Sequence, residues 1–254
     1  MILSTYSPRG SDIYYVLRKV PFKKREAYQA LHAFCAELNQ ISEHYREPQV
    51  AEQKLWWWQD EIIRFFENKA AHPLLTALIP ERERLSKTAL LALIEANLLS
   101  LKTHIFETRA ELFKHYQHLG GIQFDLKAQI LGQTKDPLLH HDLGMRAEIL
   151  RHLIQFRHFL QKQHLYFSLE DFRQYQIDPQ PILQGRELNT LTPLFENYFS
   201  TSLNERPNYK LELKPLFLEL KLKIKQIQQI KNDNWQWFKN KVELNALQKL
   251  FFTL

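Results

Sequence analysis

Little in this chain is suited to tight turns, cross-links or membrane spans. Its 254 residues include only 6 glycines, too few to furnish a run of hairpin turns. The single cysteine, Cys35, excludes an intrachain disulfide and a cysteine-based zinc cluster. No segment reaches the ~18 uninterrupted apolar residues that a membrane span needs, and the N-terminal MILSTYSPRGSDIYY has no apolar stretch following a basic region. Internal repeats, low-complexity tracts, Gly/Ser linkers and RNA-binding or zinc-finger patterns are all missing. The expectation is one domain over residues 1–254 in a reducing compartment, cytoplasmic and at most peripheral to the inner membrane.

What is present favours helix. Hydrophobic residues make up 44% of the chain, and Leu, Lys, Gln, Glu and Ala, which lose little side-chain entropy in a helix, are abundant. From Pro21 onward, Ala27, Ala30, Leu31, Phe34, Leu38 and Ile41 recur with the spacing of one helical face. A second helix is expected over 50–68, up to His72-Pro73. Further periodic stretches cover 87–106, 108–119, 124–131, 143–160, 188–200, 213–231 and 242–252, and none alternates with period two. The Pro-containing stretch 202–209 reads as a long loop. The fold class expected is all-α, one antiparallel helical bundle. The net charge of +6 is compatible with an anionic partner, but the basic residues are spread along the chain, and nucleic-acid binding is not expected.

Several motifs fall in a meaningful order. Ser11 to Leu38 contains a proline, a basic turn and a helix with Ala33-Phe34-Cys35. Leu55-Trp56-Trp57, Glu61 and His72-Pro73 follow, and then Tyr116, Gly120-Gly121 and Ile130-Leu131-Gly132. Leu143-Gly144 precedes Leu165-Tyr166-Phe167-Ser168 and Glu170-Asp171, and the tail carries Trp237-Phe238, Lys241-Val242 and Lys249-Leu250. Taken together this order resembles the squalene/phytoene synthase family over nearly the whole chain. The resemblance implies the isoprenoid synthase fold, a helical bundle around a deep central cavity. It also implies the head-to-head coupling of isoprenyl diphosphates, in which Mg²⁺ ions held by two Asp-x-x-x-Asp motifs neutralise the departing diphosphate.

Against that pattern the acids are depleted. Where the resemblance places the first motif stand Asn39 and Glu43, so one carboxylate of the pair remains, and Ala36 replaces the adjacent arginine. Where it places the second stand Gln155 and Phe159. Glu148, Arg151 and Ile154 replace family glutamine, asparagine and arginine, and Ser100 stands where an aspartate is common. Glu37, Glu148, Arg151, His152 and Ser100 are the residues expected around the cavity. One surviving acid cannot strip a cluster of Mg²⁺ ions of their hydration, so no cofactor is expected. The chain is further similar to the branch containing the mitochondrial complex I assembly factor. The function expected is therefore that of a pseudoenzyme that binds an isoprenoid or lipid-like ligand, serves a respiratory-chain assembly partner, or does both, with peripheral membrane contact. The alternative is an active, Mg-dependent farnesyl or geranylgeranyl diphosphate transferase with a rearranged metal site of Glu43, Glu37 and Glu148.

Other residue patterns have plainer readings. Glu111, His115 and His118, and the pair Glu148 and His152, have spacings that suit metal ligands, but with 11 histidines such spacings arise by chance. At most two of Trp56, Trp57 and Trp58 can face inward from a helix, where core packing is expected. Arg18, Lys19, Lys23, Lys24 and Arg25 form a basic turn that suits a diphosphate, an anionic membrane or plain solvent. Cys35 reads as a small buried hydrophobe.

Overall fold

The structure, a computed structural model, describes residues 2–45, 47–103, 105–203, 211–235 and 243–253. Its helices are α1 (Ile2–Tyr6), α2 (Asp12–Leu17), α3 (Arg25–His44), α4 (Pro48–Phe66), α5 (Pro73–Thr76), α6 (Lys87–Lys102), α7 (Arg109–Tyr116) and α8 (Ile122–Leu131). They continue with α9 (Pro137–Ile154), α10 (Phe156–Gln161), α11 (Leu169–Gln174), α12 (Pro179–Leu183), α13 (Thr192–Ser202), α14 (Lys214–Asn232) and α15 (Ala246–Thr253). Among the described residues there is no strand; the only β-type pairing is a parallel bridge between Phe106 and Ser168. None of the described helices is long and apolar enough to cross a membrane.

Sequence punctuation sets the helix starts. Proline occupies one of the first two positions of α4, α5, α9, α12, α13 and α14, where its missing N–H costs nothing. Ser11, Ser86 and Asp136 accept backbone N–H groups as N-caps, and Thr108 with Glu111 and Ser168 with Asp171 close reciprocal capping boxes. Gly132, at φ 80°, ends α8 in the left-handed conformation that glycine tolerates best.

Helix α9 runs through the middle of the molecule and packs against α7, α8, α13 and α14, while α3, α4 and α6 form the adjoining wall. The periodic face expected for α3 is the buried one, from Ala27 through Ile41. Between α7 and α8 the chain widens into a turn of π-helix, Gln117–Gly121, which lies directly on α9. There Gly120 and Gly144 meet backbone to backbone: a Cβ on either would run into the other's carbonyl oxygen. The two glycines let the helix pair close enough for Glu148, one turn beyond Gly144, to lie against Gly120.

Several helix boundaries differ from the periodic reading. The stretch 143–160 is two helices, because the backbone leaves helical geometry at Gln155; no Gly or Pro marks the break, and Phe156 and Phe159 still turn inward beyond it, so the apolar period runs straight through. The stretch 87–106 ends at Lys102, and Phe106 instead pairs with Ser168. Of the three consecutive tryptophans only Trp58 is core, against Phe34 and His72, and Trp56 and Trp57 are each 46% exposed. The motif residues Trp237, Phe238, Lys241 and Val242, and most of the expected loop 202–209, lie outside the described residues.

Candidate functional site

Helices α3 and α9, with the π turn and α14, enclose a cavity of about 330 Å³. Asn39 and Glu43 reach it from α3, Glu148 and Arg151 from α9, and Gln155 from the break after α9. The two stretches where paired acids were expected therefore do face one another. What joins them is a guanidinium. Arg151 stands 2.7 Å from a carboxylate oxygen of Glu43 and 2.7 Å from one of Glu148, and it donates to Gln155 Oε1 at 3.0 Å. The three charged side chains are at most 13% exposed, so this is a desolvated cluster rather than a surface pair.

The charges follow from that packing. Burial works against ionised Glu148, yet Arg151, His152 and Lys223 together pull its carboxyl down to about 2. For Glu43 burial prevails and raises the carboxyl despite Arg151. Arg151 is pushed well above its ordinary value, since the two carboxylates outweigh its desolvation. The cluster carries one fixed positive charge at its centre.

The remaining predicted residues fall in different places. His152 does not line the cavity: it is 3% exposed, its Nδ1 bonds the Glu148 carbonyl at 2.9 Å, and its ring stacks on Phe159 at 4.7 Å beside Tyr166. Phe159 is likewise buried behind Arg151, whose guanidinium lies 5.5 Å from the ring centroid, so of the second-motif pair only Gln155 reaches the cavity. Ser100 is buried elsewhere, 3.0 Å from His115 Nε2. Glu37 sits in an adjoining pocket and accepts from the Tyr6 hydroxyl, which burial and that contact raise to about 12. Glu111 is occupied by its capping box and His115 points into the core, so the triplet with His118 does not assemble. Among the described residues no three His, Cys, Asp or Glu side chains are placed to hold a metal ion. Cys35 is buried, its thiol pushed up to about 12 by desolvation.

A larger cavity of about 610 Å³ adjoins the first, sharing Tyr6, His32, Glu219 and Lys223 with it. Its far side is formed by the loop 8–11 and by Lys249, which is tied to Asp12 at 2.8 Å and to the Gly10 carbonyl at 3.0 Å. Behind the shared Glu219, Lys127, 1% exposed, donates to both Glu219 oxygens at 2.9 and 2.8 Å. Desolvation, then Lys127, holds His32 at about 4, and desolvation also lowers Lys223. Sequence reasoning missed Lys127 and Glu219, which are 92 residues apart and share no motif.

Two of the quoted motifs prove to be braces. Glu61, 1% exposed, accepts from the N–H groups of Ala71 and His72 and pairs with Arg64, fixing the turn into His72-Pro73. Asp171 is wholly buried and accepts from Arg109, Ser168 and Tyr198, clamping α7, α11 and α13 together. Neither borders the cavities.

The family model for squalene/phytoene synthase matches residues 8–202. The chain belongs to that family. Among solved structures it is similar to a dehydrosqualene synthase in complex with ligand, at TM-score 0.78 and 14% identity, covering 99% of this chain and 92% of that one. It is also similar to squalene synthase HpnC from Alicyclobacillus acidocaldarius, at TM-score 0.75, 16% identity and 92% and 93% coverage. YisP from Bacillus subtilis subsp. subtilis strain 168 aligns at TM-score 0.68 and 15% identity over 99% of this chain and 92% of that one. Among curated proteins none matches the sequence. The fold is that of an isoprenoid synthase. Its donor set at the expected metal position does not suit a Mg²⁺ cluster: the two carboxylates there already share a guanidinium, and Asn39 and Gln155 are neutral.

Proposed function

We propose that this squalene/phytoene synthase family member does not couple isoprenyl diphosphates and instead uses its cleft to bind the polar head of an isoprenoid or lipid-like ligand. The observation that carries the first half is Arg151 bridging Glu43 and Glu148 at 2.7 Å each. A departing diphosphate needs divalent cations on several carboxylates, whereas here a single monovalent side chain consumes both acids. A site rearranged around Glu43, Glu37 and Glu148 is disfavoured because Glu37 opens into the neighbouring pocket and is held by Tyr6. The second half is supported by the two adjoining cavities, about 330 and 610 Å³, each within the usual range for small-molecule sites of roughly 300–1,000 Å³. Lys223 and His32 border both, supplying donors at the junction.

Labelled farnesyl or geranylgeranyl diphosphate incubated with purified protein and Mg²⁺ is expected to give no coupled product. Turnover that vanishes in Glu43→Gln would overturn the reading and establish the prenyltransferase alternative. For the ligand, calorimetric titration with farnesyl diphosphate in the absence of divalent ions is expected to saturate and to weaken in Lys223→Gln. Heat that is flat for farnesyl diphosphate, farnesol and short-chain phosphatidic acid alike would discard ligand binding while leaving the missing turnover in place.

A further inference from the structure

One end of the bundle combines charge with bare apolar side chains. Phe22 and Leu138 are each 83% exposed, and no other large hydrophobic side chain among the described residues is more so. They belong to segments 116 positions apart in sequence that the fold brings together: the Lys24 ammonium lies against Gly132, at the end of α8, and six residues later Leu138 is the second residue of α9. Leu211, 78% exposed, joins them at this end. Helix α14 runs antiparallel to α8, since Glu219 pairs with Lys127 and Lys223 shares a cavity with Gln123, so the start of α14 lies beside the end of α8.

The charge is concentrated in the same place. Residues 18–26 and 132–138 hold six basic side chains against two acidic ones, a surplus of four in a chain whose whole net charge is +6. Arg18, Lys23, Arg25 and Lys135 are exposed. The Arg25 guanidinium bonds the Val20 carbonyl at 2.9 Å and lies 5.8 Å from the Phe22 ring centroid, bracing the turn that carries Phe22 outward. Helices α3 and α9 also begin here, adding the positive ends of their dipoles.

We propose that this end docks on an anionic lipid bilayer, with Phe22 and Leu138 inserted between headgroups and the surrounding lysines and arginines facing lipid phosphates. Two separated apolar tips inside a basic field suit a bilayer better than a folded protein, which would cover them with a continuous apolar patch. Helix α3 places Glu43 18 residues from Arg25, about 27 Å along the axis, so the Glu43–Arg151–Glu148 cluster lies far from the proposed bilayer contact. The inference is independent of what the cleft binds.

The test is sedimentation of the full chain with phosphatidylcholine vesicles that contain or lack phosphatidylglycerol. Binding is expected only with the anionic lipid, and should disappear near 0.5 M salt, where screening shortens the Debye length to a few Å. Lys23→Glu with Lys24→Glu should weaken it at least about tenfold, since each basic residue near the surface contributes about fivefold. Phe22→Ser with Leu138→Ser should weaken it without changing its salt dependence. Phe22, Lys23 and Leu138 project from the surface, and unchanged thermal unfolding of each variant checks that the fold is intact. Equal binding to both vesicles, no binding at low salt, or wild-type binding by the charge-reversed protein would each overturn the proposal; the second of these would fit an acidic protein surface instead.

Discussion

Arg151 does for the cleft what no neighbouring residue can, because it keeps two facing carboxylates compatible with burial. Removing it should therefore be worse than removing the cluster. Arg151→Met leaves Glu43 and Glu148 desolvated and unpaired and is expected to cost about 3–5 kcal/mol in urea unfolding. The triple change Arg151→Met, Glu43→Met, Glu148→Met should recover most of that loss, since buried ion triads are often replaceable by apolar side chains of similar volume. A triple variant no more stable than the single one would show that the charges themselves stabilise the fold. The acid limb separates the two carboxylates. Glu148 is held at about 2 in the fold against an ordinary 4.5, so its contribution is complete above pH 4.5 and is lost as pH falls towards 2. Glu43 is raised, and its contribution has the opposite sign, declining as pH rises past 4.5. Acid unfolding should consequently flatten below pH 4.5 in Glu148→Gln and not in Glu43→Gln. The sequence places Glu148 and Arg151 one helical turn apart, but nothing in it tells that Glu43, from a helix more than a hundred residues earlier, completes the pair.

At the level of the helices, the closest contact is also the most exacting. Gly120→Ala or Gly144→Ala forces a methyl into opposing backbone and is expected to cost about 3 kcal/mol or more, seen as a drop in thermal midpoint. Gly10→Ala, where nothing lies near the added carbon, tests only the strain of its φ of 87° and should cost less. Asp171→Ala strands Arg109 and Tyr198 around an empty acceptor and should be similarly severe. The faces of α3 and α4 were legible because their apolar residues recur at helical spacing and proline marks where α4 begins. The break at Gln155 was not, because the inward face continues across it. The capping boxes Thr108–Glu111 and Ser168–Asp171 were readable in principle from their spacing, and they give Asp171 a structural role that its place in a motif alone does not.

Across the whole molecule the desolvated imidazoles, His115 and His152 in the core and His32 at the cavity wall, set the pH response. His115 is held at about 4 by burial and His32 at about 4 by desolvation and Lys127, and His152 is lowered as well, against 6.5 when unfolded. The unfolded chain then takes up protons that the fold refuses, so stability is full above pH 6.5 and falls as pH drops towards 4, by roughly 1.4 kcal/mol per pH unit for each imidazole. A urea midpoint that stays constant between about pH 7 and about pH 5 would contradict this desolvation. The all-α class and the family were readable because composition and motif order extend over most of the chain, while the polar wall of Glu219 and Lys223, with Lys127 behind it, depends on which helix faces meet. Arg151 also fixes how the fold responds to metal ions. A cation that is covalently part of the chain cannot dissociate, so this bundle should melt at the same temperature in EDTA as in millimolar magnesium. The junction of α3 and α9 would then hold equally well at any magnesium concentration.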